Sequence, residues 1–196
     1  MSGTIAILRA AERAAVPWRN GGGVTCEVAA HPPGRGFEAL DWRVSIAEIG
    51  AAGPFSAFPG LERRLAVLEG RLSLDIGQQP PLEVSPASPA VLFDGDVLVY
   101  ARPIAGTVTD LNVMTRRGRF TSALTLHEVR AALALAPVAT TTLVLALGKL
   151  TLHGAAGEWQ LSRLDAAHCE AGTRFTVVPQ AEPARFYVIE MRALDA

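Results

Sequence analysis

The chain has 196 residues, 49% of them hydrophobic, and a formal net charge of -1. That length accommodates one large domain or two small fused ones around a sizeable core. The near-neutral charge excludes bulk electrostatic binding of nucleic acid or of an anionic membrane surface.

Residues 1–9 place no long apolar stretch behind a basic one, so no signal peptide is expected. The first distinctive segment is Trp18-Arg19-Asn20-Gly21-Gly22-Gly23-Val24-Thr25. Three consecutive glycines suit a sharp bend or a close approach of backbone to a ligand, although a surface loop also tolerates them. The two cysteines, Cys26 and Cys169, lack a Cys-x-x-Cys spacing, so neither a disulfide framework nor a zinc site is expected and the setting reads as reduced and cytoplasmic. Asp41 to Ile49 alternates as a strand does, with Trp42, Val44 and Ile46 on the core face and Arg43, Ser45 and Ala47 on the other. Gly53-Pro54-Phe55-Ser56-Ala57-Phe58-Pro59-Gly60 is a tight aromatic loop leading into Arg63. Gln78 to Pro89 carries four prolines and reads as a loop or irregular edge. In Asp110-Leu111-Asn112-Val113-Met114 the two polar residues and the methionine share a face. Leu124 to Leu135 fits a helix and a strand equally. Its apolar run, Ala131 to Ala136, is too short to cross a bilayer.

Across the chain, 18 glycines and 13 prolines punctuate short runs rich in Val, Leu, Ile and Thr, which predicts an all-β barrel or sandwich. Leu68-Glu69-Gly70-Arg71-Leu72-Ser73-Leu74 returns as Ala146-Leu147-Gly148-Lys149-Leu150-Thr151-Leu152. The similarity extends, with Leu82-Glu83-Val84 facing Trp159-Gln160-Leu161 and Asp110 to Met114 facing Tyr187 to Met191. This duplication predicts a bicupin, two fused jelly-roll (double-stranded β-helix) barrels. The expected boundaries are 1–118 for an N-terminal barrel and 119–196 for a degenerate C-terminal one, tightly packed and open to strand exchange.

The copies differ where Asp110 and Asn112 meet Tyr187 and Ile189. A polar barrel interior needs water, internal hydrogen bonds or a ligand, so any pocket is expected in the N-terminal barrel. The alternatives are that Asp110 and Asn112 cap a turn at a strand edge and that Arg43 faces solvent. His31, His127, His153 and His168 form no His-x-His cluster of the kind metal-dependent cupins use, so neither metal nor other cofactor is expected. There is no Gly-x-Ser-x-Gly elbow and no phosphate-binding loop.

The glycine-rich segment, Trp42-Arg43-Val44-Ser45-Ile46-Ala47, the 53–60 loop, Arg63 and the Asp110–Met114 strand together resemble the HutD/Ves family over roughly residues 16–118. The resemblance implies a metal-free bicupin that binds a small carboxylate metabolite such as urocanate, formylglutamate or formate and modulates bacterial histidine utilisation. It implies no established reaction, and Ves-like relatives point instead to cold or stress response. By motif it carries ligand-binding roles onto Asn20, Thr25, Arg43, Ser45, Arg63, Asp110 and Asn112, with Arg19 keeping the positive charge where relatives often have Lys. Arginine is the natural bidentate partner of a carboxylate, and Arg63 is the first candidate. Two rival readings stand beside this one. One is an isomerase or hydrolase acting on a small acid with Asp110 as base; the other is a structural or protein-binding module. Bicupin faces commonly pair, so a homodimer is a candidate assembly.

Overall fold

A computed structural model describes residues 4–18 and 21–194. The described residues form strands with only two short 3-10 turns, Ala10–Glu12 and Phe37–Ala39, so the chain is all-β as expected. In chain order the first strands are β1 (Ile5–Leu8), β2 (Ala15–Pro17), β3 (Gly23–His31), β4 (Trp42–Ile49) and β5 (Gly53–Pro54). The long β6 (Leu61–Ile76), the short β7 (Leu82–Val84) and β8 (Val91–Asp94), and the long β9 (Val99–Arg116) follow. The remainder are β10 (Phe120–Val129), β11 (Leu133–Leu135), β12 (Thr141–Ala146), β13 (Leu150–Gly154), β14 (Gly157–Leu161), β15 (Ala166–Glu170), β16 (Phe175–Pro179) and β17 (Ala184–Ala193). The ambiguous 124–135 segment is therefore strand, in β10 and β11.

The chain divides into two compact units. One is Arg13–Phe120, whose sheet runs β2-β3-β4-β9-β6-β7, with β5 on β9 and β8 on β6. The other combines the segment up to Glu12 with Thr121 onward. Its two sheets run β1-β15-β12-β17-β10 and β11-β16-β13-β14. The expected boundary put residues 1–12 in the first barrel. In the structure β1 instead pairs antiparallel with β15, Ile5 opposite Cys169, and buries Ile5 in that unit's core. A four-residue strand separated from its partner by most of the chain leaves no local sequence signal of where it docks.

Within Arg13–Phe120 the axis is the antiparallel pair β6 and β9, in register from Leu61 opposite Arg116 to Ile76 opposite Val99. The pair bends at bulges between Val67 and Arg71. Gly70 sits in the bend with φ of 81°, and a Cβ there would lie 2.9 Å from the Thr107 carbonyl oxygen. The glycine of the repeated motif is thus required by the backbone in this copy. Leu65, Val67, Leu72, Leu74, Val99 and Val108 pack with Ile49 and Phe93 in the core.

The pairing scheme recurs in the second unit. Arg63 lies opposite Met114 and Phe93, and Thr142 lies opposite Glu190 and Cys169. Val67 faces Asp110 as Ala146 faces Phe186. Leu72 faces Val84 and Pro103 as Leu150 faces Leu161 and Pro179. Asp110, Asn112 and Met114 therefore correspond to Phe186, Val188 and Glu190. The sequence match to Tyr187, Ile189 and Met191, offset by 77 residues where the motif is offset by 78, is one residue out, and a one-residue slip exchanges the two faces of a strand. Phe186 and Val188 belong to the second unit's core, whereas Tyr187, Ile189 and Met191 are buried on the opposite face of β17. The contrast itself stands: two polar interior positions in one unit are apolar in the other.

Candidate functional site

The Arg13–Phe120 unit contains an open cavity of about 480 Å³. Three adjacent strands build its floor. Arg43, Ser45 and Ala47 of β4 lie directly opposite Met114, Asn112 and Asp110 of β9, and Met114 lies opposite Arg63 of β6. All seven side chains line the cavity. The alternation of β4 and β9 forces this: Val44, Ile46, Leu111 and Val113 take the other face and are buried there. Thr25, Trp18 and the 53–58 segment complete the wall. Gly23 lets Trp18 close in, since a Cβ at that position would come within 2.5 Å of the Glu48 carbonyl oxygen and 3.2 Å of the indole. Trp18 Nε1 donates to Thr25 Oγ1 at 2.7 Å, which fixes the indole at the rim.

Arg63 is 4% exposed. Its guanidinium carbon lies 5.3, 5.2 and 5.0 Å from the ring centres of Phe55, Phe58 and Phe93. Such a cage stabilises the cation through the ring quadrupoles and restricts its rotamers. Nη1 donates to the Ser56 carbonyl at 3.3 Å, while Nε is buried without a partner. Burial lowers the Arg63 pKa to about 10, Asp110 opposing and Arg43 adding to the shift, so the group stays protonated at neutral pH. Arg43 is more fully engaged, with Nε on Glu27 Oε2 at 2.7 Å and Nη1 on Ser45 Oγ at 3.2 Å. Asp110 is 2% exposed and accepts the Ala47 amide at 3.2 Å. Burial pushes its carboxyl up to about 7, against the pull of Arg63 and of the Ala47 amide. Asn112 Oδ1 is buried without a partner.

Arg116 anchors one side of the cavity wall. It donates to the carbonyls of Leu40, Pro59 and Glu38 at 3.1, 3.2 and 3.0 Å, tying down the segments that bear Phe37 and Phe58. The two rings are 4.5 Å apart, and Arg43 lies over Phe37.

Of the residues singled out from sequence, Thr25, Arg43, Ser45, Arg63, Asp110 and Asn112 converge on this one cavity. Asn20 lies outside the described residues. The aromatic cage was not anticipated. Phe55 and Phe58 were visible as an aromatic loop before Arg63, but Phe93 is brought in only by the pairing of β8 with β6. Cys169 is a buried core residue whose thiol is pushed up to about 12 by desolvation. Among the described residues no three His, Cys, Asp or Glu side chains cluster as metal ligands would, and no helix is long and apolar enough to cross a membrane.

The HutD family model matches residues 10–186. The chain belongs to the HutD family. A curated relative, the 21.2 kDa protein in the hutC 3′ region of Pseudomonas putida, is 34% identical over 119 residues. Protein Ves of Citrobacter koseri is 41% identical over 104 residues. These matches cover 60% and 52% of this chain, which spans 62% and 53% of the relatives' own lengths. HutD of Pseudomonas fluorescens SBW25, solved in a formate condition, superposes with a TM-score of 0.83 at 27% identity, covering 98% of this chain and all of that one. A cupin 2 conserved barrel domain protein of Leptotrichia buccalis superposes with a TM-score of 0.60 at 11% identity, covering 90% of this chain and 92% of that one. The HutD fold is thus cupin-like, and the expected family resemblance is borne out.

Proposed function

We propose that this HutD-family chain is a duplicated cupin that binds a small carboxylate in the Arg63 cavity and thereby modulates histidine utilisation. The observation that carries this reading is a buried guanidinium caged by Phe55, Phe58 and Phe93, with its Nε unpartnered beside an open cavity. A fixed, desolvated arginine fork is suited to a planar carboxylate. Trp18, Phe55 and Phe58 supply apolar walls for the body of a small organic acid, and the volume is in the usual range for metabolite sites. Asn112 Oδ1 would accept a hydrogen bond from an N–H or O–H of the same ligand. Urocanate, N-formylglutamate and formate are the candidates. The recurrence of strand pairing between the units supports the duplication. The expected test is a rise in melting temperature with at least one of these acids at millimolar concentration, abolished in Arg63→Ala. The absence of any shift with all three, or an Arg63→Ala protein that binds as tightly as its parent, defeats the reading.

A second reading is favoured by one observation: Asp110, held near neutrality, has the proton affinity of a general base. In that case the protein turns over a small acid. Mass and absorbance of urocanate or N-formylglutamate, unchanged after prolonged incubation with the protein, would remove it for those two compounds.

A further inference from the structure

With Asp110 ionised, the charges around the cavity already balance before any ligand enters. Among the described residues they are Arg43 and Arg63, against Glu27 and Asp110. Glu27 neutralises Arg43 at 2.7 Å, and Asp110 is the counter-charge that Arg63 feels. Arg63 and Asp110 are 4% and 2% exposed, so water screens neither well. An incoming carboxylate places two anions beside one available cation in a poorly hydrated space. Like charges so confined raise the proton affinity of one of them.

Among the described residues, which do not include Arg19, the elements packed around Asp110 offer no further cation. β4 presents Arg43, Ser45 and Ala47, and β6 presents Arg63 with Leu65 and Val67. β3 contributes Thr25, and Glu27 acts through Arg43. The 53–58 segment contributes Phe55, Ser56 and Phe58. The excess charge is therefore removed at Asp110 itself. We propose that the cavity takes up its carboxylate together with one proton, which Asp110 accepts. The proposal rests on the carboxylate reading above.

The step balances simply. A proton leaves a solvent or buffer acid, an O–H bond forms on the Asp110 carboxyl, and release of the ligand reverses both. The site then discriminates by charge: one negative charge plus one proton enters as a neutral sum, whereas a second negative charge on a ligand has no partner inside, which ranks the monoanions formate and urocanate above the dianionic N-formylglutamate. A carboxyl that burial already holds at about 7 takes the proton with little penalty near neutral pH.

The test uses the whole protein and sodium formate, which stays ionised throughout, at constant ionic strength from pH 6 to 9. Trp18 lines the cavity, so its fluorescence reports binding. The dissociation constant should weaken about tenfold per pH unit above the Asp110 titration and level off below it. In Asp110→Asn it should be independent of pH and close to the low-pH value of the parent. A direct measurement needs no variant: formate added to weakly buffered protein at pH 8 should draw about one proton per bound anion from a pH indicator. Formate binding with a flat pH profile and no proton uptake overturns this inference and leaves the carboxylate site intact. An Asp110→Asn protein that keeps the parent's pH dependence also overturns it. Failure of formate, urocanate and N-formylglutamate to bind at any pH overturns the carboxylate reading itself.

Discussion

At Asp110 a carboxyl whose ordinary value is 3.8 is raised to about 7, chiefly by burial, with Arg63 and the Ala47 amide opposing. The folded state therefore holds a proton between these values that the unfolded chain has lost. Stability contributed by this group is greatest below about pH 4, falls as pH rises toward 7 and is then constant. The ionised penalty is at most on the order of 4 kcal/mol, and less in practice because Arg63 loses a counter-charge when Asp110 goes. Asp110→Asn should thus melt higher than the parent at pH 8, by roughly 3–8 °C, and the gap should close toward pH 4. Thermal melts across that range check it; a gap that widens on acidification would contradict it. Sequence parity put Asp110 with Asn112 and Arg43 with Ser45 on shared faces, because alternation dictates which neighbours share a face, and left open whether those faces meet solvent or an interior. It could not show that Arg63 is caged, since Phe93 reaches it from a strand about thirty residues away.

Strand geometry decides what the repeated glycines do. Gly70 combines φ of 81° with a Cβ position 2.9 Å from a backbone oxygen, while Gly148 has nothing within 4 Å and no positive φ. Gly70→Ala should destabilise by about 1–3 kcal/mol and Gly148→Ala by less than about 1 kcal/mol, measured by denaturant unfolding. Equal effects would refute the assignment of the bend to the first copy. The same bend explains why the duplication was legible only in outline. Leu68 is the additional residue between Val67 and Leu72 that has no counterpart between Ala146 and Leu150, and it shifts the β6 face relative to β12. Carrying the motif's offset back across that residue keeps the motif and misplaces the β6 side chains by one.

For the whole chain, composition and punctuation made an all-β cupin-like fold legible, but not the partition of its strands. β1 lies outside the Arg13–Phe120 unit and on the edge of β15, with Ile5, Ala6, Ile7 and Leu8 opposite Cys169, His168, Ala167 and Ala166. Removing residues 1–12 should raise amide exchange in β15 and β12 and leave the β6–β9 pair protected, as read by hydrogen exchange. Uniform loss of protection would show that the two units unfold as one. The β1–β15 pairing also has a consequence for synthesis. β1 finds its partner only after more than 150 further residues have been translated. During that interval Ile5 and Ile7 travel as an unpaired apolar edge, and the rate at which the chain is finished sets how long a chaperone, or another nascent copy, has to claim them.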